Sequence, residues 1–400
     1  MTGDQKRALT FIAGSQLLAL TLWFSASAVA PQLEELWDLS SGQTAGLTLA
    51  VQIGFVAGAL GLAVTNLADT IASRTLFTSA AALGALVNAG LIVLGPNDFA
   101  IAIALRFLTG AALAGVYPAG LKVMAGWFRE GRGLALGVLV GALTVGSAGP
   151  HLIRGLGFDW QGVVGGASLL AVVAAVLMWT LLEDGPFETP RQQFSLTKVG
   201  VVVANRGFRL STYGYLGHMW ELYAMWTWTA AFLAASAEEA GRGDGFVPTA
   251  TFFIIAAGGL GAWLFGRWAD RYGRTLLAGL SLLISGIAGL LTPLVFGLSP
   301  VIVVGLFLVW GFAVVADSAQ FSTMVTETSD DDTRGTALAL QTALGFLLTL
   351  VTIRGVPVLA GAWGWQWAFP LLAIGPAAGI AAMVALRRSP AAAALAGGRG

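Results

Sequence analysis

The sequence predicts an all-α membrane protein in which twelve transmembrane helices form two six-helix, pseudo-symmetric bundles. Three observations lead there: a composition too apolar for water, apolar runs of membrane-spanning length, and an order of motifs that recurs halfway along the chain. Of 400 residues, 56% are hydrophobic and only 10% are charged, against about 25% charged in a soluble domain. Mean hydropathy is +0.79, so lipid is the expected solvent. Apolar runs of about 20 residues cross about 30 Å of hydrocarbon as helices, whereas barrel strands alternate over about 10. The 54 glycines, dense across residues 131–149, suit close helix packing in lipid.

Charge clusters and Gly/Pro breaks divide the chain into spans beginning near Ala8, Gly42, Thr75, Asn97, Gly133, Val163, Phe208, Val247, Thr275, Pro300, Gly335 and Gln366. The first span, with Lys6 and Arg7 before it and Ala26-Ser27-Ala28 after it, has the look of a cleavable signal peptide. It is read as a retained helix, because its loss would leave an odd span and destroy the repeat. With the N-terminus inside, 17 of the 21 Lys and Arg fall in inside segments, Arg242 falls outside, and Arg106, Arg154 and Arg354 lie within spans. The positive-inside rule then predicts an inner-membrane, multi-pass protein with both termini cytoplasmic.

Residues 183–207 hold Asp184-Gly185-Pro186 and Thr189-Pro190 and read as a cytoplasmic linker between an N-terminal bundle, 1–182, and a C-terminal bundle, 208–400. Offset by about 200 residues, Arg74-Thr75-Leu76 falls on Arg274-Thr275-Leu276, Asp69 near Asp270, Arg132-Gly133 near Arg334-Gly335, and Trp160-Gln161 near Trp365-Gln366. Both halves enter from the same side, so these are parallel repeats, an arrangement in which a solute site lies between halves near the midplane.

The loop after the eighth span reads Gly266-Arg267-Trp268-Ala269-Asp270-Arg271-Tyr272-Gly273-Arg274. It resembles the G-x-x-x-D-R-x-G-R signature of the major facilitator superfamily. An acid flanked by guanidinium groups at helix ends is suited to a gate latch, because its pairs can form in one conformation and release in another. Gly266, Asp270, Arg271, Gly273 and Arg274 are the expected latch. The corresponding first-half loop keeps Asp69 and Arg74 but lacks both glycines and the adjacent Arg. The resemblance extends over nearly the whole chain and implies a transporter working by alternating access, with spans one, four, seven and ten lining the cavity.

Ionisable residues inside the bilayer cost about 2.5–3.5 kcal/mol each and are therefore candidate functional groups. Tyr215, His218 and Glu221 recur every three residues along one face of span seven. Asp317 in span ten and Arg106 in span four lie at comparable depth. A membrane-buried carboxylate that exchanges a proton can couple protonation to helix movement. Glu221 is the leading candidate for this role and Asp317 the second, with His218 relaying the proton or binding solute; the alternative is a static Tyr215–His218–Glu221 network. Arg106 opens an R-x-x-x-G element resembling one in span four of many facilitators, where it would hold an anion or a proton-labile acid, or serve structure. Arg154 and Arg354 occupy equivalent outer positions, where they either face a cleft and attract an anion or snorkel to the interface. Trp23 and Tyr117 are candidate solute contacts.

The expected function is secondary transport of a small solute, coupled to protons, by a monomer. An anion is slightly favoured because three intramembrane arginines outnumber two carboxylates. Proton-driven efflux of amphipathic compounds and a transporter-derived ligand sensor are the alternatives. With no Cys and two His, disulfides, thiolate zinc and iron–sulfur centres are excluded, and no cofactor, metal or nucleic-acid partner is expected. No clustered nucleophile or acid–base set suggests an enzyme.

Overall fold

The computed structural model describes residues 1–128, 132–183, 185–187 and 194–400, the side chains of Ala68, Asp69, Arg132 and Gly133 excepted. Within these residues the regular structure is helical, and the chain divides into two compact units: Met1–Pro190 with Asp244–Ile255, and Arg191–Gly243 with Ala256–Gly400.

The first unit contains α1 (Gly3–Leu20), the short α2 (Ala30–Trp37), α3 (Ser41–Val64), the single turn α4 (Leu67–Thr70), α5 (Ser73–Ala89), α6 (Phe99–Leu113), α7 (Tyr117–Trp127), α8 (Arg132–Gly155) and α9 (Trp160–Leu181). Capping boxes at Thr2 and Ser40 start α1 and α3, satisfying amides that a helix leaves open. Two spans are broken. The first gives way at Thr21, whose hydroxyl bonds the carbonyls of Leu18 and Ala167. The fourth breaks between α6 and α7, just before Pro118. The tightest packing is between α3 and α6: a Cβ on Gly54 would collide with the Phe107 carbonyl and one on Gly110 with the Val51 carbonyl, so each backbone lies directly on the other.

The second unit contains α10 (Val199–Ala204), α11 (Arg206–Glu239), the later part of α12 (Val247–Tyr272), α13 (Arg274–Val295), α14 (Pro300–Ala316), α15 (Ser318–Thr328), α16 (Arg334–Trp363) and α17 (Ile374–Arg387). Helix α10 lies inside the segment expected to be a plain linker and packs on α11 and α16. Its apolar run, Val199-Gly200-Val201-Val202-Val203-Ala204, is the reason, and Val202 is buried with Phe208, Val325 and Ala337. Span ten is broken at Asp317, between α14 and α15. Helices α11 and α17 meet through Gly217 and Gly375, each facing the other's carbonyl.

Among the described residues, ten spans are long and apolar enough to cross a membrane. The first span and α11 fall outside that set: the first is broken at Thr21, and α11 carries His218, Glu221 and several other polar residues. Polarity has concentrated in helices that carry the candidate site.

Candidate functional site

In the second unit, α11 brings Tyr215, His218 and Glu221 to one face, all buried. Glu221 has two donors. The Ser285 hydroxyl on α13 bonds one carboxylate oxygen, and Trp310 Nε1 on α14 approaches the other at 3.4 Å. Ser285 also has the Leu282 carbonyl within 3.2 Å as a second acceptor. Behind Trp310 lies an aromatic wall, with Phe307 and Phe369 each 5.4 Å away by ring centroid.

One turn earlier, His218 Nδ1 lies 2.9 Å from Asp317 Oδ1, close in distance but off the line of a directed hydrogen bond. The attraction is chiefly electrostatic and depends on the charge of the imidazole. On the other side of the ring, Nε2 and the Ser318 hydroxyl are 3.0 Å apart. Tyr215 stacks on the imidazole at 6.1 Å and 27°, and Phe321 packs against both rings, 5.6 Å from the imidazole and 6.1 Å from Tyr215. The three side chains do not form a single network. His218 turns to Asp317 and Tyr215, whereas Glu221 turns to Ser285 and Trp310, because α13 and α14 supply donors on that side.

Arg106, in the first unit, is wholly buried. One terminal nitrogen donates to Asn88 Oδ1 (2.7 Å), Ser25 Oγ (3.1 Å) and the Leu22 carbonyl (3.1 Å); the other donates to the Trp23 carbonyl at 2.5 Å. Asn88 continues through Ser168 at 3.0 Å. These acceptors are neutral, and two of them are carbonyls freed by the break in the first span. Of the readings open to Arg106, these contacts fit the structural one: its guanidinium satisfies backbone that the bilayer could not hydrate. Trp23 gives its carbonyl to Arg106 and packs its ring 4.9 Å from Phe55. Tyr117, half-buried, begins α7 just after the break in span four.

Arg154 is half-buried at the end of α8 and donates to the Phe158 carbonyl at 3.1 Å. Arg354 is exposed on α16.

At the loop, Arg274 binds Glu327 through two nitrogens (2.8 and 2.7 Å), Asp270 at 2.9 Å and Gln320 at 3.2 Å. Gly273 holds a φ of +97° in the turn between α12 and α13, where a side chain would be strained. A Cβ on Gly266 would meet open space, and Arg271 lies 5.3 Å from the Tyr272 ring. The first-half loop is arranged otherwise: Arg74 donates to the Leu182 carbonyl at 2.6 Å and lies over Trp179, while the Asp69 side chain falls outside the described residues.

Sequence reasoning missed Ser25, Asn88, Ser285, Ser318 and Glu327. Serines in apolar helices are too common to stand out. Glu327 carried a usable signal, an acid on a side otherwise rich in arginine. Among the described residues no group of three His or acidic residues is placed to hold a metal ion.

The family model described as Major Facilitator Superfamily matches residues 12–247 and 244–400. Among solved structures, the chain resembles a bacterial homolog of the human lysosomal transporter Spinster, in an inward-facing and occupied conformation. That match has a TM-score of 0.72 and 14% identity over 97% of this chain and 98% of that one. A mutant of the nucleoside transporter NupG matches with a TM-score of 0.70 and 15% identity over 95% and 99% of the two chains. No curated protein matches by sequence. At such identities the structural likeness shows the fold alone.

Proposed function

The chain belongs to the major facilitator superfamily, and from that premise we propose that it is a proton-coupled secondary transporter whose proton is carried on Glu221. The observation carrying the reading is a buried carboxylate whose hydrogen bonds come from a serine and a tryptophan. Ser285 can serve both protonation states: it donates to the carboxylate, or it accepts from the acid while donating to Leu282. The His218–Asp317 pair, one turn away, is the second titratable element and the natural relay. Transport through a multi-pass inner-membrane monomer with both termini cytoplasmic remains our assignment of setting.

For the solute we favour a small amphipathic or weakly basic compound over an anion. The anion argument rested on a surplus of arginines, but both terminal nitrogens of Arg106 are engaged with neutral acceptors, Arg154 is tied to a loop carbonyl and Arg354 is exposed. A carboxylate beside Trp310, Phe307 and Phe369 offers a cation both charge and aromatic faces.

The test uses proteoliposomes loaded with a pH-sensitive dye and a panel of lipophilic weak bases and small organic anions. Solutes are chosen first by thermal shift, since a ligand at 100 times its Kd stabilises by about 2.7 kcal/mol. The unaltered protein is expected to move protons with a weak base, and Glu221→Gln is expected to retain solute exchange without proton movement. Full proton coupling in Glu221→Gln would overturn the assignment, and proton movement driven only by anions would overturn the choice of solute.

A further inference from the structure

Residues 389–400 follow α17 and fold back onto the loop that holds Gly273. Their contacts are specific. The Arg399 guanidinium donates to the Asp270 carbonyl at 2.7 Å. Thr275 offers both its hydroxyl (2.7 Å) and its amide (3.3 Å) to the Gly400 carbonyl. The Ala396 amide donates to Glu327 Oε2 at 3.2 Å, the same oxygen that accepts from Arg274 Nε. Leu395 is fully buried, and the segment packs on α11, α15 and α17.

Two features distinguish this from incidental packing. The bare backbone of Gly273 is what admits the segment, since a Cβ there would lie 2.6 Å from the Arg399 carbonyl and 2.7 Å from that of Gly400. The segment also carries strain: Ala396 holds a φ of +47°, a left-handed conformation that non-glycine residues avoid. The same residue donates its amide to Glu327, so docking holds the backbone in a shape it would relax from once released. A strained segment anchored by one leucine and a few hydrogen bonds is well suited to leave and return.

We infer that residues 389–400 form an intramolecular strap, seated on α12, α13 and α15, that holds the Arg274–Asp270–Glu327 cluster in its paired arrangement and must release for that cluster to open. The strap reaches all three members: the carbonyl of Asp270, the carboxylate of Glu327, and the first turn of the helix that Arg274 begins. It acts regardless of the solute and of the role given to Glu221.

Hydrogen–deuterium exchange on the full chain in lipid nanodiscs tests this with no substrate and no pH gradient. The informative backbone is 262–272 at the end of α12 and 318–328 in α15, because no amide in either range donates to the strap. Leu395→Asp and Arg399→Ala are each compared with the unaltered chain. Release of the strap is expected to speed exchange in both ranges, by up to about tenfold for the aspartate variant and less for the alanine variant. A synthetic peptide of sequence 389–400, added to a chain truncated after Arg388, is expected to slow exchange again. The inference is overturned if the Thr275 amide exchanges faster while both reporting ranges remain unchanged, for then the strap leaves and the cluster is indifferent. Should Leu395→Asp unfold, shown by fast exchange throughout α11, Arg399→Ala and the peptide arm decide by the same two criteria.

Discussion

The two units place charge in their interiors by opposite means. In the first, one cation is surrounded by neutral oxygens, two of them carbonyls at a helix break, and each terminal nitrogen donates to at least one of them. In the second, two carboxylates meet a histidine, two serines and a tryptophan, nearly all groups able to exchange a proton or swap donor for acceptor. A guanidinium cannot lose its proton in a protein, so the first arrangement is a fixture. The second has several protonation patterns open to it. On the proposed reading, Arg106 in the first half holds still while the acids of the second can change state.

The largest expected effect breaks the first side of the comparison. Arg106→Met should strand the carbonyls of Leu22 and Trp23 and the amide oxygen of Asn88, costing on the order of 3 kcal/mol or more. Thermal melting of the detergent-purified protein measures it, and an unchanged melt would remove the fixture. Arg106→Lys should recover only part of the loss, because one ammonium lacks the planar fork.

Next comes a double-mutant cycle of His218→Gln and Asp317→Asn. If the pair is coupled as its 2.9 Å separation implies, the double variant should differ from the sum of the singles by about 1–3 kcal/mol. Strict additivity would show the pair uncoupled and leave Glu221 alone in the proposed proton path.

A smaller loss, about 1 kcal/mol in stability, is expected for Ser285→Ala, with Ser285→Thr restoring the donor. The smallest is Arg354→Gln, which should change stability by no more than about 0.5 kcal/mol and leave proton-coupled flux intact; a clear loss of flux would return this exposed arginine to the site.

Composition and span length made the membrane architecture legible, because a bilayer tolerates so few backbone solutions. The loop signature made Asp270, Gly273 and Arg274 legible as a cluster. The three-residue interval of Tyr215, His218 and Glu221 identified their shared face, but not their partners. Which neighbour each side chain chose depended on α13, α14 and the position of the span-ten break, all matters of tertiary packing. Arg106 was conspicuous for its charge, yet its purpose was hidden, since nothing in Leu22-Trp23-Phe24 announces that the helix comes apart there. Serine and asparagine partners were invisible for want of any local pattern.

Asp317 is the residue at which span ten breaks and also the residue that meets His218. In the proposed cycle, sensor and joint would therefore be one part. In most machines a signal must travel from detector to hinge, losing fidelity along the linkage, whereas a proton gained or lost by this pair would change the charge at the bend itself. The angle between α14 and α15 and the proton count of the pair would then be two readings of a single coordinate, with no intervening wire to cut.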